Sequence, residues 1–320
     1  MSIAKRLDAC MRRWPRSLTR DFRSYAGALN RRNQGARQAI GADRFWILLP
    51  GWLLAAYSSR RKKKNISGNF LSDIRWAQYC LFLFFRIQDD LFDAQATNPT
   101  LLFAADQFLV EAESALSKHL GTSPRFWQLY REALAKTARA LVVVAELQRA
   151  RRAAPQALLA GYAESAAVFN VAPAAICSIC AQMKNFSRLA KFTREMTIAG
   201  QIMDDLQDVG EDLQQQKYNY AARVLLRHRR KGEAVTKKTL EMKAETILLT
   251  DGVMKLLDEA RQHLARAEEA IAPIGLRPAR ALVRRYQRGL DWMQDKIHRR
   301  QVDFLFGKIR PRRGVVMPHA

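Results

Sequence analysis

The feature that most constrains this chain is a short acidic pattern that occurs twice. Asp89-Asp90-Leu91-Phe92-Asp93 and Asp204-Asp205-Leu206-Gln207-Asp208 both read D-D-L-x-D, 115 positions apart. Glu211 and Asp212 extend the second. The chain carries a net charge of +24, yet eight of its 30 carboxylates fall in these two stretches. On a helix, Asp89 and Asp93 share a face, as do Asp204, Asp208 and Asp212. Like charges stacked in this way weaken a helix unless something binds them. A solvated acidic face is the plain alternative. The run Trp76–Phe85 just before the first cluster speaks against it, because it is apolar on nearly every side and reads as a helix buried all round. Carboxylates at the end of a buried helix, with no histidine or thiolate beside them, suit a hard divalent cation such as Mg²⁺, which reaches its substrate through phosphate oxygens.

The rest of the sequence predicts an all-helical fold. Gly and Pro are few (15 and 10 in 320 residues), no strand-and-turn rhythm appears, and Ala, Leu, Arg, Glu and Gln dominate. The greasiest stretches, Phe45–Tyr57 and Trp76–Ile87, are too short to span a bilayer. No secretory leader is legible near Met1, and the reading expects a cytoplasmic protein. Cys177-Ser178-Ile179-Cys180 is a lone C-x-x-C inside an apolar segment. It predicts packing thiols rather than zinc or a redox pair. The five histidines are scattered and suggest no general base.

Positive charge gathers in Arg60–Lys64, Arg227–Lys231 and Lys308–Arg313. Such runs are usually solvated faces; weak peripheral association with an anionic membrane is the functional alternative. No nucleic-acid-binding signature accompanies them, so no nucleic acid is expected. Along the chain we expect residues 1–44 to form a basic, loosely packed extension. Residues 45–306 should form a single domain of about ten helices around a central cavity. A basic tail, 307–320, follows. Breaks are expected at Pro50-Gly51 and Ser58–Gly68, with a kink near Pro173.

These residues resemble the class I isoprenoid synthases, all-helical enzymes that ionise prenyl diphosphates. The resemblance covers roughly residues 45–306 and rests on short matches. Asp89, Asp90 and Asp93 match the first aspartate-rich motif. Gln201–Asp208 resembles the Q-x-x-D-D-x-x-D of trans-prenyl diphosphate synthases. Asp204, Asp208 and Asp212 occupy the three ligand positions of the terpene-cyclase triad. Phe85–Asp90 and Asp208–Asp212 are similar to stretches of squalene and phytoene synthases, and Arg285-Tyr286 to the R-Y pair of bacterial terpene cyclases. The resemblance implies that Asp89, Asp90, Asp93, Asp204, Asp205, Asp208 and Asp212 hold about three Mg²⁺ ions, with Mn²⁺ able to substitute. Arg86, Arg194, Gln201, Lys217, Arg285 and Tyr286 would grip the diphosphate. Phe82, Phe84, Phe85 and Phe169 would line the hydrocarbon pocket, with Trp76 and Tyr79 as further aromatic candidates. A homodimer is compatible with this reading.

The departures separate the subtypes. Chain-elongating synthases carry a basic pair after the first motif; here Ala94–Pro99 holds none. Their central lysine corresponds to Glu164 in Glu164-Ser165-Ala166, and the upstream G-G-K-R is missing, although Arg60–Lys64 lies near its place. On this basis the sequence favours a terpene synthase that cyclises or rearranges one linear C10–C20 prenyl diphosphate. A prenyltransferase, elongating or head-to-head, is the runner-up. A non-catalytic basic membrane- or nucleic-acid-binding helical protein is the third reading.

Overall fold

The computed structural model describes residues 2–40, 45–58, 68–150, 153–227 and 251–305. The basic run Arg60–Lys64, most of Arg227–Lys231, the helix expected over 234–250 and the tail 307–320 lie outside these residues. Among the described residues every regular element is helical and none is a strand. The helices are α1 (Ile3–Met11), α2 (Arg16–Ile40), α3 (Phe45–Ser58), α4 (Phe70–Phe92), α5 (Leu101–Leu120), α6 (Pro124–Arg149), α7 (Pro155–Ser165), α8 (Val171–Ile179), α9 (Phe186–Gln214), α10 (Tyr220–Arg227), α11 (Asp251–Ile271) and α12 (Arg277–Leu305).

The apolar run before the first acidic cluster becomes the middle of α4. Ile74, Trp76, Ala77, Cys80, Leu81, Leu83, Phe85 and Ile87 are all buried there, because α4 is enclosed by α3, α5 and α8. Helix α9 carries the second cluster and packs mainly along α11 and α7. A short 3₁₀ segment, Ala166–Asn170, touches both α4 and α9 and sits between them.

Three expectations are corrected. The first concerns the N-terminus, which is no loose extension. Met11, Trp14, Leu18, Phe22, Tyr25 and Leu29 join the same core as α4 and α5. Trp14 and Phe22 both meet Phe108 of α5 ring to ring, at 5.3 and 5.1 Å between centroids. The basic residues that made the segment look external occupy the other face of amphipathic helices.

The second correction is at Pro50, where α3 continues without a break. The third is the expected kink at Pro173. The helix stops earlier, at Ser165, and resumes at Val171. Pro173 stands in the first turn of α8, where its missing N–H is no loss. Backbone groups freed by the break are met by buried side chains. Gln78 donates to the Val168 carbonyl (3.2 Å) and accepts from the Ala172 N–H (3.2 Å). The Thr137 hydroxyl accepts from the Val168 N–H (3.0 Å).

The stretch Pro155–Ile179, which spans this break, is apolar and long enough to cross a membrane by composition, and most of it is buried in the core. All four cysteines are buried and none forms a disulfide. Burial pushes the Cys177 thiol up to about 12, which suits packing rather than redox chemistry. His263 is also buried, paired with Glu195 at 2.6 Å across the α9–α11 contact.

Candidate functional site

The first acidic cluster occupies the last turn of α4, where the helix dipole places partial negative charge. No basic residue of α4's own last turn offsets it. The compensating cations come from elsewhere in the chain. Arg86, one turn back, lies 2.7 Å from Asp90 and 3.7 Å from Asp89. Lys217, in the turn after α9, reaches Asp93 at 3.0 Å. Arg149, at the end of α6, stands 3.7 Å from Asp93, donates to the Phe92 carbonyl at 2.9 Å and lies 4.8 Å over the Phe92 ring.

Two polypeptide ends are tied to make this arrangement. The Tyr218 N–H donates to the Gln148 carbonyl (2.8 Å), fixing the α9–α10 turn to the end of α6. Arg223 of α10 donates to the carbonyls of Leu147, Ala150 and Ala153. It thereby satisfies acceptors that the end of α6 leaves unpaired.

The second cluster has a different character. Asp205 is buried, and its oxygens are taken by neutral donors. Gln201 donates to one (3.0 Å); the Tyr162 hydroxyl (2.9 Å) and the Tyr220 N–H (2.8 Å) donate to the other. Asn219 donates to the Asp205 carbonyl (3.0 Å) and to Asp212 (2.7 Å). Asp204 and Asp208 are open to solvent.

Lys217 links the two clusters: its backbone N–H donates to the Asp212 carbonyl (2.7 Å) while its side chain meets Asp93. Burial raises Asp89 to about 6, with neighbouring Asp93 and Asp90 adding to the rise, while Arg86 and Lys217 pull it down. Asp204 is raised to about 7 by burial and by Asp205 and Asp208, again opposed by Arg86. Burial also raises Asp205 to about 7, against its three hydrogen bonds. Asp208 and Asp212 are raised as well, first by burial and then by other carboxylates. Lys217 pulls on Asp212 as it does on Asp89. Arg86 and Lys217 therefore belong to both clusters.

This donor set fits Mg²⁺ shared with a diphosphate. It is oxygen-only and short of positive charge on the α9 side. Among the described residues no three of these carboxylates converge into a ready-made coordination sphere, so ligands from a substrate would have to complete it. A further opening for an anion is the buried Arg86 Nε, which has no hydrogen-bond partner.

The remaining candidates divide. Gln201 meets Asp205 and Lys217 meets Asp93, so both stand within the clusters. Arg194 is exposed on α9, and the helical rise places it about 15 Å along the axis from Asp204. On α12, Arg285 is exposed and Tyr286 buried. Glu164 is exposed and 3.7 Å from Arg139 at the surface. Among the aromatics, Phe85 is buried and Phe84 half-buried, the two rings edge to face at 4.9 Å. Phe82 and Phe169 each stack on Trp46, at 4.6 and 5.4 Å between centroids.

The sequence reading missed Tyr25, Arg149, Tyr162, Asn219 and Trp46. None lies in a motif; Asn219 stands two residues after Lys217, Tyr162 two before Glu164, and Trp46 within the apolar stretch Phe45–Tyr57.

No family model matches the chain, and no curated protein matches it. Solved structures do. A geranylgeranyl pyrophosphate synthetase from Pyrococcus horikoshii Ot3 superposes with a TM-score of 0.67 at 15% identity, covering 91% of this chain and 94% of that one. A polyprenyl synthase from Roseobacter denitrificans gives 0.64 at 15% identity, over 87% and 98%. A decaprenyl diphosphate synthase from Rhodobacter capsulatus gives 0.64 at 13%, over 88% and 99%. Likeness at this identity speaks for architecture: the chain has the all-α isoprenoid synthase fold.

Proposed function

We propose that this protein is a Mg²⁺-dependent enzyme that ionises an allylic prenyl diphosphate and transfers the prenyl group to a second substrate. The observation that carries the reading is the pair of acidic clusters with Arg86 and Lys217 between them. An anionic ligand at this place, bridged by cations, would relieve the repulsion that the carboxylates suffer without it. Bound Mg²⁺ would neutralise the diphosphate as the carbon–oxygen bond breaks. Asp89, Asp93, Asp204, Asp208 and Asp212 would hold the ions. Arg86 and Lys217 would hold diphosphate oxygens, Lys217 by exchanging its bond to Asp93. The apolar and aromatic side chains of α4 and the 3₁₀ segment would keep water from the cation.

Transfer is preferred over cyclisation for two reasons. The solved structures with this architecture are named as prenyl synthases. The strongest sequence argument for a cyclase was a carboxylate where elongating enzymes place a lysine. Glu164 is exposed at the surface beside Arg139, which removes that argument. Cyclisation keeps two observations in its favour: the segment Ala94–Pro99 after the first motif holds no basic residue, and the upstream G-G-K-R is missing.

One assay separates them. Purified protein is given C10, C15 and C20 allylic diphosphates with Mg²⁺, with and without isopentenyl diphosphate. A longer diphosphate formed only with isopentenyl diphosphate supports elongation. A hydrocarbon or alcohol with free pyrophosphate from a single substrate overturns transfer and restores the cyclase. Full turnover in excess EDTA would sink both.

A further inference from the structure

The two acidic motifs share a device that lies outside both of them. In each Asp-Asp pair the second, inner carboxylate is buried and accepts a tyrosine hydroxyl from a distant helix. Tyr25 of α2 donates to Asp90 at 2.9 Å, and Tyr162 of α7 donates to Asp205 at 2.9 Å. Asp90 and Asp205 are both buried, whereas Asp89 is half-buried and Asp204 exposed. Tyr25 is buried and Tyr162 is buried, so each bond is shielded from competing water.

We infer that Tyr25 and Tyr162 are positioning residues: each locks the inner carboxylate of one acidic pair, and thereby fixes the helix rotation that presents the outer carboxylates to metal and diphosphate. A few degrees of rotation matter on this geometry. Asp89 and Asp93 occupy one stripe of α4, and Asp204, Asp208 and Asp212 one stripe of α9, so a single locked residue sets the direction of the whole stripe. The α2 side has a second tether. Asp21, one turn before Tyr25, accepts from Asn98 (3.0 Å) and Thr100 (3.2 Å) in the loop that leaves the first motif. Helix α2 thus holds the α4 end from both sides. On the α7 side, Gln201 and the Tyr220 N–H complete the grip on Asp205.

This inference rests on the metal-diphosphate reading, and the experiment distinguishes the two. Pyrophosphate binding is measured by calorimetry across a Mg²⁺ series for wild type, Tyr25→Phe, Tyr162→Phe, Asp90→Asn and the double variant Tyr25→Phe/Asp90→Asn. Circular dichroism is recorded for each. The phenylalanine variants keep the ring and remove only the hydroxyl. They are expected to keep their helicity, to bind pyrophosphate about tenfold more weakly, and to need more Mg²⁺ for half-saturation. Tyr25→Phe should cost less once Asp90 is Asn, because a neutral amide oxygen accepts the hydroxyl more weakly than a carboxylate does. Unchanged affinity and Mg²⁺ dependence in both tyrosine variants would overturn the inference while leaving the functional reading intact. So would a Tyr25→Phe loss that is undiminished in the Asp90→Asn background. Should a phenylalanine variant fail to fold, the hydroxyl holds the fold rather than the site, and the inference falls for that tyrosine. Absence of Mg²⁺-dependent pyrophosphate binding in wild type overturns the functional reading and this inference with it.

Discussion

The end of α4 and the acidic stretch of α9 carry the same five-residue pattern and solve its repulsion in opposite ways. At α4 the carboxylates are met by cations: Arg86 at Asp90, and Lys217 with Arg149 at Asp93. At α9 the one buried carboxylate, Asp205, is met by neutral donors, and Asp204, Asp208 and Asp212 repel one another and sit above their ordinary pKa. Arg86 and Lys217 meet Asp90 and Asp93 of the first cluster before any ligand arrives, and Asp89 is still raised. The second waits for protons or metal. Identical sequence patterns therefore become one cluster met by cations and one met by neutral donors, according to which helix ends are brought beside them.

If that contrast holds, substitutions on the α9 side should do the greatest damage to metal-dependent work. Asp208→Ala is expected to lower turnover by about a hundredfold or more with the melting curve little changed, since the side chain is exposed. A steady-state assay alongside thermal unfolding checks this; turnover within about threefold of wild type would break the comparison.

Lys217→Ala sharpens it from the other side. Removing the cation exposes Asp93 and relieves competition for the metal. We expect Mg²⁺ alone to bind more tightly and pyrophosphate with Mg²⁺ to bind about tenfold more weakly. Titration calorimetry reads both. Weakening of both together would mean that Lys217 only supports the fold.

The pH dependence of stability follows from the raised carboxyls. A carboxyl whose folded pKa exceeds its unfolded value, near 3.8, binds its proton better when folded. Its stabilising contribution is complete below that unfolded value. It is lost as pH rises through about 6 for Asp89 and about 7 for Asp204 and Asp205. Metal-free protein should therefore melt at lower temperature at pH 8 than at pH 5.5, as far as these groups decide it. Mg²⁺ should recover more stability at pH 8. A Mg²⁺ effect independent of pH would contradict the assignment of these groups to the metal.

The smallest effect is expected at the joint between the halves. Asn219 is fully buried and bonds the Asp205 carbonyl, Asp212 and the Ala222 N–H. Asn219→Ala should cost about 1–3 kcal/mol of stability, read from denaturant unfolding. Loss of activity beyond that explained by unfolding would show that the α9–α10 turn also orients Asp212.

The helical class, the central placement of α4 and the identity of both acidic stretches were legible in the residues, since hydrophobic period and carboxylate spacing are local quantities. Within the N-terminal segment the basic residues outweighed the buried stripe Trp14–Phe22–Leu29 in the reading. That stripe has meaning only when α5 is present to receive it. Glu164 shows the same limit. Alignment with a motif placed it against a diphosphate, and the rotation of α7 placed it on the surface.

The chain by itself determined that two carboxylate sets would exist on helical faces and that a hard cation suits them, because both follow from residue type and spacing. Only the tertiary structure decided which oxygens remain free. Tyr25, Arg149, Tyr162 and Lys217 lie 43 to 124 positions from the carboxylates they touch. No local pattern encodes such partners. They are set by where helix ends meet once the core has packed, and burial at those meeting points is what makes each hydrogen bond and charge count.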